Sequence, residues 1–169
     1  ASWEELEAAF HLVRASLPNM PISTSEPITA YGNEDLRRIV DFHAPNAHFV
    51  FVSSDRQNVD AAVAWLRERI RSLRDLPYGS KPVLIKEHGL PGGPSPFTAE
   101  LQKRYWGACL KAIPPSPMCT LAVFEAFCAP WKPDTNPSEI SATEAFWGAW
   151  DNSRRPRAVV SVLPRLRPR

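Results

Sequence analysis

Cysteine is scarce in this sequence. The three present, Cys109, Cys119 and Cys128, form no CxxC pair. Their odd number and wide spacing speak against a disulfide framework and a zinc site. Long apolar runs are also missing: nothing approaches the roughly 18 residues that a membrane-spanning helix needs. The opening residues, Ala1-Ser2-Trp3-Glu4-Glu5, are acidic and helical in character, unlike a signal peptide. Charge of one sign is not in excess, the formal net charge being +2. Basic residues gather only between Arg154 and Arg169, where they alternate with proline and apolar residues as a solvated tail would. Nothing resembles a nucleic-acid-binding stripe. Glycine-rich phosphate loops are absent too. Gly89-Leu90-Pro91-Gly92-Gly93 lacks the GxGxxG spacing that a doubly wound nucleotide-binding sheet carries.

Proline, by contrast, is abundant, at 18 residues. The prolines punctuate the chain, marking many loops between short regular elements. Between them the hydrophobic periodicity changes type repeatedly. Residues 2–17 read as a helix opened by a Ser2/Glu5 capping box. Residues 21–27 read as a short strand and 34–40 as a short helix following the Gly32-Asn33 turn. Residues 48–53 (HFVFVS) read as a strong strand. Residues 58–76 form the clearest helix, with Val59, Val63, Leu66, Ile70 and Leu73 on one face. Residues 82–87 are a strand, and 95–113 a helix with Phe97, Leu101, Tyr105 and Cys109 in register. Residues 120–127 are a strand, 138–150 a helix, and 157–163 an extended stretch.

A helix followed by four strand–helix units implies an α/β fold with parallel strands and crossover helices, in a single domain over residues 1–169. The units occupy 1–156, and 157–169 forms a basic Pro/Arg tail. Four units are half of an eightfold (β/α)₈ barrel, whose chemistry sits at the C-terminal ends of the strands. Those ends carry Glu26, the Ser53-Ser54-Asp55 turn, Glu87 and Glu125. Glutamate is depleted from strands, so three glutamates at strand ends are notable. Paired carboxylates at a cleft are what glycoside hydrolysis requires. Tyr31, Phe127 and Trp131 follow strand ends, where flat apolar faces can stack on sugar rings. Trp65, Trp106 and Trp147 sit within helical stretches and read as core packing. His88 is placed to orient Glu87 or touch substrate. His43 and His48, at a strand entry opposite the chemistry, read as structural.

The segment Pro82-Val83-Leu84-Ile85-Lys86-Glu87-His88-Gly89-Leu90-Pro91 resembles strand 7 of glycoside hydrolase family 17, where a strand leads into Gly-Glu-Thr-Gly-Trp-Pro-Ser. Phe124-Glu125-Ala126-Phe127-Cys128-Ala129-Pro130-Trp131-Lys132 resembles its strand-8 segment, Phe-Glu-Ala-Phe-Asp-Glu-Pro-Trp-Lys. Residues 144–148 with 154–157 resemble the closing helix and tail of its bacterial members, and Ser23-Thr24-Ser25-Glu26-Pro27 is similar to their strand 5. The resemblance implies the strand-5 to strand-8 half of a TIM barrel acting on β-1,3-glucans by a retaining mechanism, with no metal or cofactor. It implies Glu87 as nucleophile, and Glu125, Trp131 and Lys132 in the sugar-binding rim.

Leu90 stands where that family has Trp, and Cys128-Ala129 where it has Asp-Glu. The end of strand 6 reads Ser53-Ser54-Asp55 where His and aromatics are expected. The acid/base Glu follows strand 4, which lies upstream of residue 1. Gly32-Asn33-Glu34 looks like its motif but falls after strand 5 and opens a helix. Closing the barrel calls for a homodimer in which the partner's Glu125 approaches Glu87. The partners expected are a β-glucan oligosaccharide or polysaccharide and a second copy, with neither nucleic acid nor membrane. The motif losses leave a catalytically inactive, sugar-binding or structural half barrel as the alternative.

Overall fold

The structure is a computed structural model that describes residues 2–132 and 141–164. Helices form where side chains satisfy their first free N–H groups. Helix α1 (Trp3–Ser16) begins with the expected capping box: Ser2 Oγ accepts from the Glu5 amide, and the Glu5 carboxylate accepts from the Ser2 amide. Asn33 caps α2 (Glu34–Ile39) by accepting from the Asp35 and Leu36 amides. Gly32-Asn33-Glu34 is therefore a turn and a helix start. Asn58 and Thr98 cap α3 (Val59–Arg74) and α4 (Ala99–Ala112) in the same way. The apolar stripe read on α3 is its buried face: Val59, Val63, Leu66, Ile70 and Leu73, joined by Ala62.

Two short strands, β1 (Val83–Ile85) and β2 (Cys119–Leu121), pair in parallel with Val83 opposite Cys119 and Ile85 opposite Leu121. The parallel order extends beyond them through isolated bridges. His43 pairs with Val83, Asn46 with Glu87, and Pro27 with Asn46. Backbone bonds from His43 N to Pro82 O, Lys86 N to Pro45 O and Ala47 N to Glu87 O fix this register. Four consecutive extended segments thus lie side by side in chain order, with α3 and α4 packed over them.

The predicted strand over residues 48–53 is not formed. The paired segment is 43–47, and Phe49–Phe51 is a 3₁₀ turn. The cause is packing. Adjacent Phe49 and Val50 are both buried while Phe51 and Val52 are both exposed, which alternation of period two cannot deliver. Phe49 instead turns under α3, 5.9 Å from the Trp65 ring. Asp55 accordingly ends no strand; it accepts from the Asn58 side chain ahead of α3. Residues 21–27 contribute only the Pro27 bridge rather than a full strand.

The predicted last helix is a 3₁₀ helix over Ser141–Phe146; its expected start at Ser138 lies outside the described residues. The stretch expected to be extended is also 3₁₀, over Ala158–Val162. Val159 is fully buried, and Val160, Val162 and Leu163 pack against the core. The first part of the basic tail is therefore integral to the domain, and Gly107 of α4 faces Val162 across that contact.

Candidate active site

Glu87 follows β1 at the C-terminal side of the parallel ladder. Side chains alternate along an extended chain, so Glu87 and His88 point opposite ways. Glu87 faces a cleft of about 410 Å³ lined by His48, Phe51, Phe124, Lys132, Glu144 and Trp147. Lys86 Nζ bonds Glu87 Oε1 at 2.8 Å, and His48 Nε2 stands 3.6 Å from Oε2. The facing His48, aided by the Lys86 ammonium and opposed by burial, holds the Glu87 carboxyl down at about 2. Glu87 is thus fully ionised at neutral pH. Lys86 is itself anchored by Ser25 Oγ at 2.7 Å, and Ser25 donates to Asn46 Oδ1.

Other carboxyls stand nearby. Glu125 Oε2 accepts from Lys132 Nζ at 2.7 Å, and that ammonium lies 4.9 Å from the Phe124 ring centre. Glu144 is buried, which pushes its carboxyl up, with Lys132 and His48 pulling the other way. One cleft therefore holds a carboxylate driven towards ionisation and a carboxyl driven towards retaining its proton, a separation typical of acid–base sites.

The wall is aromatic. Trp147 is 1% exposed and meets His48 and Phe124 edge to face at 5.1 and 5.6 Å. Phe51, 51% exposed, stacks on Trp147 at 6.4 Å and 22°. Gly148 lets this wall close. A Cβ there would lie 2.0 Å from Cys128 N and 2.3 Å from Phe127 C. Gly89, at φ 155°, likewise sits in a conformation that favours glycine, with Phe124 O and Trp147 around it.

Several expected site residues lie elsewhere. His88 is fully buried, with Nδ1 3.1 Å from Tyr105 Oη and its ring 4.4 Å from Trp106. Burial lowers its imidazole to about 3, so it is neutral and belongs to the helix layer, not to a substrate surface. Tyr31 is likewise buried: its hydroxyl donates to Thr24 O and accepts from Ala44 N, so its ring is not offered to a sugar. Glu26 lines a separate cleft with Trp3, Leu6, Asn33 and Leu36, and does not join Glu87. Phe127 and Trp131 are exposed, Trp131 at 64%, on the segment that carries Glu125 and Lys132, but they do not line the cleft.

His48, Phe51, Phe124 and Glu144 line the cleft without a site role legible in the sequence, while Trp147, expected as core packing, is buried in the core and also backs the cleft. The apolar run 48–53 places the strand five residues beyond the segment that actually pairs, which sets His48 at a strand entry in the sequence and at a strand end in the fold. His48 stands at the end of the paired segment, followed by Phe49 and Phe51, so this segment ends in a histidine and aromatics and not in Ser53-Ser54-Asp55. Among the described residues no group of His, Cys, Asp and Glu is arranged to hold a metal ion. A second cavity, about 460 Å³, lies at the opposite ends of the strands between α3 and α4; it is lined by Arg67, Arg71 and Arg74 and has no aromatic wall.

No family model matches the sequence, and no curated protein does. Solved structures do match the fold. A glycoside hydrolase family 17 β-1,3-glucanosyltransferase from Rhizomucor miehei superposes with a TM-score of 0.73 at 17% identity, over 94% of this chain and 57% of that one. A Bifidobacterium dentium β-glucuronidase gives 0.70 at 19% identity, over 94% and 26%. An endo-laminarinase from Formosa gives 0.62 at 16% identity, over 84% and 47%. This is an α/β fold of the kind found in glycosidases. The chain spans little more than half the length of the glucanosyltransferase.

Proposed function

We propose that this chain is the C-terminal half of a (β/α)₈ glycoside hydrolase of family 17 type that cleaves or transfers β-1,3-linked glucan with retention, and that Glu87 is its nucleophile. The observation that carries this reading is the state of Glu87. It is held ionised at a strand end by Lys86 and His48, and it opens on a cleft walled by Phe51, Phe124 and Trp147. An ionised carboxylate attacks the anomeric carbon as the glycosidic bond breaks. Water or an acceptor hydroxyl then displaces the enzyme ester. Phe51 and Phe124 supply flat apolar faces for sugar rings, with the buried Trp147 packed behind them, and Lys132 and Glu125 offer polar groups to hydroxyls at the rim. Glu87→Gln is expected to abolish laminarin turnover, a loss of several orders of magnitude. Unchanged activity would remove Glu87 from the mechanism.

A retaining pair needs its second carboxyl about 5 to 5.5 Å from the first. In this reading the second half of the barrel comes from another copy, as a homodimer. Its contact surface includes the outer edge at residues 22–27 and the exposed Leu12, Val13, Leu17 and Met20 beside it. Such edges and apolar surfaces are ones that proteins cover. The partner's Glu125 then serves as proton donor. A monomer by light scattering at micromolar concentration overturns the dimer, and full activity of Glu125→Gln overturns the composite site.

One observation favours a second reading, sugar binding without turnover. The Glu125 carboxylate is already engaged by Lys132. Calorimetry with β-1,3-gluco-oligosaccharides decides: binding by a protein that turns nothing over selects this alternative.

A further inference from the structure

Beyond its ring contacts, Trp147 is held in the cleft wall by hydrogen bonds to the backbone of its own segment. The carbonyls of Phe146, Trp147 and Gly148 are each gripped from outside the segment. Phe146 O accepts from Arg157 Nη1 at 2.8 Å and from the Gly92 amide. Trp147 O accepts from the buried Gln102 side chain of α4 at 2.9 Å. Gly148 O accepts from Arg157 Nη1 at 3.1 Å. The other arm of the same guanidinium, Nη2, donates to Gly92 O at 2.6 Å, and Nη1 also lies 3.3 Å from Cys128 Sγ. One side chain thus joins the loop after β1, the loop after β2 and the Trp147 segment.

The chemistry is specific to arginine. A planar fork of five donors can serve several carbonyls at once, whereas an ammonium is a single point. The opposing loop is shaped for it: a Cβ on Gly92 would fall 2.3 Å from Arg157 Nη2. Glu87 has its own partners, Lys86 and His48, and does not depend on this junction.

We infer that Arg157 is a positioning residue of the cleft, acting through Phe146–Gly148 to hold the buried Trp147 against Phe51 and Phe124, the rings that face the cleft, and thereby setting affinity for sugar. The affinity part rests on the glucan reading above; the positioning part does not. The test uses the full chain with Arg157→Ala, Arg157→Lys and Gly92→Ala, the last crowding the guanidinium, and the Gln102 side chain beside it, without removing either. Hydrogen exchange read by mass spectrometry is expected to quicken about tenfold in residues 124–128 and 146–150 of all three variants, with α3 and β1 unchanged. KM for laminaritriose is expected to rise by about tenfold while the rate at saturation holds. Exchange that is unaltered, or that quickens uniformly across the chain, overturns the positioning role. So does full recovery by Arg157→Lys, because charge alone would then suffice. Should Arg157→Ala fail to fold, Gly92→Ala and Arg157→Lys decide. Local quickening with unchanged KM, or with unchanged calorimetric affinity for laminaritriose where the parent binds without turnover, overturns the affinity part. If the unmodified protein binds no laminaritriose, the glucan reading fails, and the exchange pattern alone settles the positioning.

Discussion

Replacing Gly148 by alanine tests how tightly the cleft wall is closed. The new methyl carbon would stand 2.0 Å from Cys128 N, 2.3 Å from Phe127 C and 2.6 Å from Trp150 O. All three obstacles are backbone, so no rotamer change relieves the clash. The two segments must part, and they are joined by bonds from Cys128 N to Trp150 O at 2.8 Å, Trp150 N to Ala126 O at 2.9 Å and Ala149 N to Glu125 O at 2.8 Å. Overpacking alone costs about 1 to 3 kcal/mol, and each bond lost adds about 1 kcal/mol. A total of about 3 kcal/mol follows, which for a domain of this size lowers Tm by roughly 6 to 12 °C. Gly107→Ala is the control of opposite sign. Gly107 lies inside α4, and its added carbon would meet only Val162 Cγ1, at 3.9 Å. Removing a glycine from a helix interior stabilises by about 0.5 to 1 kcal/mol, so this variant should melt a few degrees higher. Thermal unfolding followed by circular dichroism at matched concentration provides the comparison. A Gly148→Ala protein that melts with the parent, or a Gly107→Ala protein that melts well below it, refutes the close approach on which the wall depends.

Two other consequences are open to simple measurement. The folded-state value of Glu87, about 2, lies below its ordinary 4.5; its ion pairs therefore stabilise the fold fully above pH 4.5, and that contribution fades as pH falls towards 2. Solvent screening at this rim position limits it to about 1 kcal/mol, and Glu87→Gln should flatten the Tm-versus-pH curve in that window; an unchanged slope would contradict the assignment. Among the thiols, burial pushes Cys109 up to about 12 and raises Cys119 as well, while Cys128 is only half-buried. Iodoacetamide at pH 8 should accordingly label Cys128 first in the folded protein, and peptide mapping that finds Cys109 labelled at the same rate would show that α4 does not shield it.

Much of the scaffold was legible because its signals are local. Ser2 with Glu5, Asn58 and Thr98 mark helix starts through single hydrogen bonds, and the stripe on α3 records one continuous buried face. Glu87 was legible as well, at the end of a strand flanked by a proline and a glycine. The second extended segment was not. Ala44-Pro45-Asn46-Ala47 has little β-propensity and is extended because neighbours on both sides bond to it, a tertiary cause that overrides local preference. The apolar run after it carries the stronger strand signal five residues further on, which masks the position of His48. Period-two alternation separates Glu87 from His88, although adjacency in sequence points to a shared site. The burial of Trp147 was legible, but its place and that of Glu144 beside the cleft were not, for another reason. Their segment is held by Arg157, 9 and 11 residues from the carbonyls it bonds, and by Gln102, 45 residues away, partners that no local pattern connects.

That distance orders events while the chain is made. The carboxylate at position 87 leaves the ribosome well before the indole at 147, and the guanidinium that secures the indole emerges later still. Synthesis runs at roughly 5 to 20 residues per second, so several seconds pass in which the first three extended segments can pair while the aromatic wall does not yet exist. The nascent protein therefore has a scaffold before it has a cleft, and a ribosome stalled short of Arg157 would hold a paired ladder whose core still awaits Val159.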